Sequence, residues 1–225
     1  MTRLLLLHGS VTGASWSWPR QRELAARFEL VQLARPGFPP NPPVERVDFE
    51  SDAAWLPSVV LEGDHLVAHS YGGVIALLAA PSLPLASLTV IEPPAFSVAR
   101  GVPAVEAWLA RMAELETVEE FLAHVGAPLR LPEPLPDDLR QGVEAFAGER
   151  RPDEAVVPLE PLPYPVLVAT GAHEPAFEAI GDVLERELRA ERVVLPGAGH
   201  AVQNAPGFNE ALVAFLARCQ ARQRN

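Results

Sequence analysis

The chain has 225 residues, 18 basic and 29 acidic, for a net charge of −11, and every basic residue is arginine. At 48% hydrophobic and 21% charged it is too apolar to be disordered and too acidic to neutralise nucleic-acid phosphates. The length suits one domain with a sizeable core. A single cysteine, Cys219, excludes an internal disulfide and fits a reducing, cytoplasmic setting. The opening MTRLLLLHGS is too short in apolar residues for a secretory signal, and no run of about 18 apolar residues predicts a membrane span.

Short apolar runs without polar alternation read as buried strands: Leu4–Leu7, Phe28–Leu33, His65–Ala68, Leu85–Ile91, Pro165–Ala169 and Glu191–Leu195. Helical patterns fall between them at Arg20–Arg27, Gly73–Ala80 and Pro175–Ala190, with a last one at Pro206–Ala221. Such alternation predicts an α/β fold, a parallel sheet with helices on both faces. Residues 97–162 break the pattern. Val105, Trp108, Leu109, Met112 and Leu115 make an apolar stripe, Thr117 with Glu120 forms a capping box closed off at Gly126, and a third helix is expected near Asp137–Ala147. The expected organisation is a core of residues 1–96 and 163–225, with a helical lid of residues 97–162 over the strand ends where ligands bind.

In Leu66-Val67-Ala68-His69-Ser70-Tyr71-Gly72-Gly73, an apolar strand runs into Ser70 and two glycines open a helix. A sharp turn of this kind exposes its central side chain, and Ala68 and Gly72 are small enough for the close approach it needs. The local pattern also fits an ordinary serine N-cap. A nucleophilic serine needs a base and an orienting acid. His200 follows a strand on the glycine-rich loop Pro196-Gly197-Ala198-Gly199, and Glu174 follows the strand ending near Thr170. Glu92, in Ile91-Glu92-Pro93-Pro94, is a competing acid; the chain order serine, acid, histidine favours Glu174. The backbone amides of Ser10 and Tyr71 are candidates for an oxyanion hole. His8 reads as structural, and His173 borders the expected pocket. The sequence has neither metal-ligand spacing of Cys and His nor a G-x-G-x-x-G loop, so no metal or dinucleotide is expected.

These residues resemble the α/β-hydrolase superfamily over nearly the whole chain, with Arg35-Pro36-Gly37-Phe38 similar to the family's loop after the next strand. Trp16 and Trp18 after His8-Gly9 resemble the methylesterase and hydroxynitrile-lyase branch and bacterial esterases. The resemblance implies a nucleophile at Ser70, a base at His200, an acid at Glu174 and oxyanion amides at Ser10 and Tyr71. Ala68 replaces the family's first elbow glycine, and Glu174 replaces the more usual aspartate. The expected sheet has about six parallel strands, with the lid after the fourth. The expected activity is cleavage of a small or medium apolar carboxylic ester, with Trp16, Trp108 and Met112 in the pocket, no cofactor, and a monomer or homodimer. Alternatives are C–C bond hydrolysis or cofactor-free peroxide chemistry on the same three residues, or a ligand-binding protein with weak turnover. Cyanohydrin cleavage is disfavoured because the chain lacks lysine, and Ser70 where an aspartate would be needed excludes epoxide hydrolysis and dehalogenation.

Overall fold

A computed structural model describes residues 1–127 and 131–223; residues 128–130, inside the expected lid, and 224–225 lie outside the described residues. The strands are β1 (Arg3–Leu7), β2 (Glu29–Leu33), β3 (His65–His69), β4 (Ser87–Ile91), β5 (Val166–Thr170) and β6 (Glu191–Val194). They form one all-parallel sheet in the order β2-β1-β3-β4-β5-β6. Side chains alternate between two cores: Leu5, Leu7, Leu66, Ala68, Leu88 and Val90 on one face, Leu4, Leu6, Val67 and Ile91 on the other. Both faces are covered, so the inner strands are apolar at most positions, and the buried His65 and Ser87 are paired with each other. The edge strands depart from the expected full burial. Glu29 and Gln32 of β2 and Val194 of β6 are exposed, because each edge strand has a neighbour on one side only.

The helices are α1 (Gly13–Ser17), α2 (Phe49–Trp55), α3 (Tyr71–Ala79), α4 (Pro103–Met112), α5 (Val118–His124), α6 (Asp137–Ala147), α7 (Pro175–Glu187) and α8 (Phe208–Gln223). The pattern at 20–27 forms a tighter 3-10 turn, Gln21–Ala26, and the last helix starts at Phe208, leaving Pro206 outside it. The sequence pattern did not reveal α2; Asp48 caps it by accepting the Glu50 N–H at 2.8 Å. Among the described residues, no helix is long and apolar enough to cross a membrane.

Between β4 and β5 the chain makes α4, α5 and α6, and the Thr117–Glu120 capping box opens α5 as expected. The segment is tied to α1 and to the loop after β2. Asp138 accepts hydrogen bonds from Trp16 Nε1 (2.9 Å) and Ser15 Oγ (3.1 Å), and Gln141 donates to the Gly37 and Asn41 carbonyls. On the return, Glu149 bridges Val47, with the Arg150 N–H on the Val47 carbonyl at 2.9 Å.

Candidate active site

Ser70 sits between β3 and α3 with φ +53° and ψ −126°, in the left-handed region that side chains with a Cβ rarely adopt. Two hydrogen bonds hold it there: its N–H donates to the Ile91 carbonyl (2.8 Å), and its carbonyl accepts from the Gly73 N–H (2.7 Å). The small residue at 72 is needed for a reason other than crowding between β3 and α3. A Cβ on Gly72 would lie 2.4 Å from the His8 carbonyl oxygen and 2.9 Å from that of Leu7, so the helix start packs on the end of β1. Gly9 in turn presses on the elbow, since its Cβ would fall 2.8 Å from Ser70 Cβ.

His200 Nε2 lies 2.8 Å from Ser70 Oγ, with both residues buried. Behind the imidazole stands Glu92, with Oε2 3.6 Å from His200 Nδ1. Glu174 is elsewhere: its side chain accepts the Ala176 N–H at 3.3 Å as the N-cap of α7. The expectation that Glu174 orients His200 is therefore not met by the geometry, and the competing Glu92 occupies that place. Topology gives the reason. β4 lies beside β3 and its last residue, Ile91, pairs with His69, so the next residue falls next to the elbow. Glu174 is four residues beyond β5, past a left-handed turn at Ala172, and is spent on starting α7.

Glu92 also has a positive φ, +46°, and its Oε1 accepts the Gly171 N–H at 2.6 Å. Burial pushes its carboxyl up to about 7, against the opposing pull of the Gly171 amide and His173. Burial pushes the His200 imidazole down to about 3, and His173 adds to the shift. His173 brings its own Nδ1 to 3.8 Å from Glu92 Oε1. One side-chain nitrogen or oxygen atom from each of Glu92, His173 and His200 lies within 4.8 Å of the others. The arrangement is an acid between two imidazoles.

A buried charge cluster supports the loop after β1. Arg35, wholly buried, donates from Nε to Asp52 (2.8 Å) and from a terminal nitrogen to the Gly9 carbonyl (3.0 Å), and pairs with Glu149 at 3.0 Å. Its guanidinium lies over the Phe38 and Tyr71 rings. Burial works against the charge, but Glu149 and Asp52 outweigh it and raise the Arg35 pKa. Ser10 Oγ donates to the other oxygen of Glu149. His8 bonds the Gly9 carbonyl through Nδ1 and accepts the Arg35 N–H at Nε2, which makes it the structural residue expected. Neither Asp52 nor Glu149 was legible as part of this site, because they lie 17 and 114 positions from Arg35 with no motif joining them.

Two cavities meet at Ser70 and His200. One, of about 110 Å³, is walled by Trp108, Met112, Phe121, Phe146 and Phe177. The other, of about 210 Å³, is lined by Trp16, Thr12, His69, Gln203 and Asn204 among others. Ser10 lines both cavities, and Tyr71 lines the first. Each of the three side chains expected at the pocket thus borders one cavity.

The Alpha/beta hydrolase family model matches residues 4–211. No curated protein matches the chain significantly. Among solved structures, NosK from Streptomyces actuosus is 22% identical with a TM-score of 0.72, covering 97% of this chain and 99% of that one. The esterase RhEst1 from Rhodococcus sp. is 20% identical with a TM-score of 0.62, covering 96% and 89%. A lipase-esterase related protein from Clostridium acetobutylicum is 14% identical with a TM-score of 0.68, covering 96% and 93%. At these identities the solved structures speak for the fold alone. The length of the family match, on a six-stranded parallel sheet, places this chain in the alpha/beta hydrolase family.

Proposed function

We propose that the protein is a serine hydrolase cleaving a small or medium apolar carboxylic ester through an acyl-enzyme on Ser70. The observation that carries this reading is the 2.8 Å contact from Ser70 Oγ to His200 Nε2, on a serine held at a strained elbow where two cavities meet. Ser70 Oγ attacks the ester carbonyl carbon while its proton passes to His200 Nε2. Glu92 faces Nδ1 and stabilises the imidazolium that forms. The Ser10 and Tyr71 amides receive the oxyanion, each contributing about 3 kcal/mol by analogy with measured oxyanion-hole donors. His200 then gives its proton to the leaving alcohol, and water, activated by the same histidine, releases the acid.

The aromatic cavity of about 110 Å³ suits a short apolar acyl chain, and the larger, more polar one suits the alcohol. The helical segment 97–162 acts as the lid, since Trp108, Met112, Phe121 and Val125 wall the cavities from that side. The free, buried Cys219 fits a cytoplasmic location.

The test is fluorophosphonate labelling with turnover of aryl esters graded by acyl length. Stoichiometric labelling of Ser70 and loss of both signals in Ser70→Ala are expected, with short acyl chains preferred. Hydrolysis by Ser70→Ala at the parent rate would overturn the reading.

A further inference from the structure

His173 takes no part in the serine–histidine contact, yet its ring stands against the acid. Its Nε2 lies 3.0 Å from the Val125 carbonyl oxygen. A carbonyl only accepts, so Nε2 carries a proton. The other ring nitrogen, Nδ1, is buried without a hydrogen-bond partner, 3.8 Å from Glu92 Oε1. In the neutral ring that nitrogen would turn a lone pair toward a carboxylate; with a second proton it turns a positive charge there.

The carbonyl that holds His173 belongs to the turn ending α5. The next carbonyl along, that of Gly126, accepts the His200 N–H at 3.3 Å. Gly126 also packs on the His173 ring, since its Cβ would lie 2.7 Å from Cδ2. Val125 lines both cavities. One turn of the insertion therefore touches both imidazoles and the substrate space.

We infer that His173 is a positioning residue for the reaction proposed above, on which this step rests. Anchored by the carbonyl at the end of α5, it sets its free ring nitrogen against the far side of Glu92, so that the acid's ionisation depends on how the insertion is seated.

The charged and titratable groups around it have other engagements or act in the same sense. Glu178 of α7 pairs with Arg192 of β6 at 2.7 Å, Glu174 caps α7, and His124 of α5 faces the Trp108 carbonyl at 3.3 Å. Glu92 and His200 are the partners that respond. A charge on His173 favours the ionised carboxylate and disfavours the His200 imidazolium, and both effects draw the acid limb of activity to lower pH. Removing it moves the limb up.

The experiment compares the parent with His173→Gln and His173→Phe. Glutamine keeps a donor for the Val125 carbonyl without the second ring nitrogen, and phenylalanine loses both. Aryl-ester kcat/KM is measured from pH 5 to 9, alongside the fluorophosphonate labelling rate and the 15N chemical shifts of His200. In both variants the acid limb is expected at higher pH, with kcat/KM down about tenfold at pH 6, kcat carrying the loss, and KM within about twofold. Labelling at the parent rate at pH 9 shows that a variant is folded. Limbs with the parent midpoint in both variants would overturn the inference. If the parent itself is not labelled, the serine-hydrolase reading fails. The inference is then decided by the 15N titration of His200, which needs no turnover: an unchanged midpoint in the variants sinks it, and an upward shift supports it.

Discussion

At the residue scale, Glu92 and Glu174 divide two tasks that one carboxylate could not perform together. Glu92 is wholly buried at the end of β4 against His200, while Glu174 is half-buried and satisfies the first turn of α7. Glu92→Gln keeps the shape but removes the charge that stabilises imidazolium, so kcat should fall about 10³–10⁴-fold. Glu174→Gln should leave kcat within about twofold and lower stability by about 0.5 kcal/mol, through the lost charge at the amino end of α7. Ester kinetics beside urea unfolding of the two variants separates these outcomes; a kcat loss confined to Glu174→Gln would reverse the assignment. Ser70 and His200 were legible because each stands where a strand ends in a loop of small residues. The acid was not settled, because the sequence offered a carboxylate after both β4 and β5. Choosing between them needs the strand order, and strand order depends on long-range pairing that periodicity does not carry.

Between elements, contact depends on missing side chains. Gly142 lies inside α6, where glycine ordinarily costs about 1 kcal/mol relative to alanine. Here the comparison reverses, because a Cβ on Gly142 would fall 1.9 Å from the Val11 carbonyl oxygen. That oxygen belongs to a backbone at φ +69° and cannot yield cheaply. Gly142→Ala should therefore destabilise, by about 1–3 kcal/mol, and slow ester turnover, since α6 and the loop carrying Ser10 would have to part. Chemical denaturation decides the sign: a gain in stability would show that α6 is not seated on this loop. The helices of this region were readable from the apolar stripe at Val105–Leu115 and the Thr117–Glu120 box, both of which are local. Their anchoring was not. Gly142 on Val11, Asp138 with Trp16, and Glu149 beside Val47 join positions more than 100 residues apart.

Across the whole molecule, the pH response follows from buried imidazoles. His8, His69 and His200 are each pushed down to about 3 by burial. In the unfolded chain they titrate near their ordinary value, so below about pH 6.5 unfolding takes up three protons. Stability is then full above that pH and is lost as pH falls, at up to about 4 kcal/mol per pH unit. Glu92, raised to about 7, acts in the opposite sense, as do the buried carboxyls of Asp52 and Glu149, while His65 and His124, lowered by burial, add to the loss; the carboxyls offset part of the slope. Urea unfolding at pH 5, 6, 7 and 8 should show a steep loss below pH 6 and little change above 7, and a flat profile would contradict it.

The parallel sheet also orders the assembly of the site in time. Strands consecutive in the chain are joined by crossovers, and these differ greatly in length. Residues 70–86 join β3 to β4, while residues 92–165 separate β4 from β5. Closing the longer loop costs roughly 1 kcal/mol more in chain entropy. Ser70 and Glu92 lie on the amino-terminal side of that seam, and His173 and His200 on the other. On the proposed reading, a chain emerging from the ribosome carries its elbow and its acid before it carries the base, and the serine gains its partner only once the last quarter of the polypeptide has been made and docked.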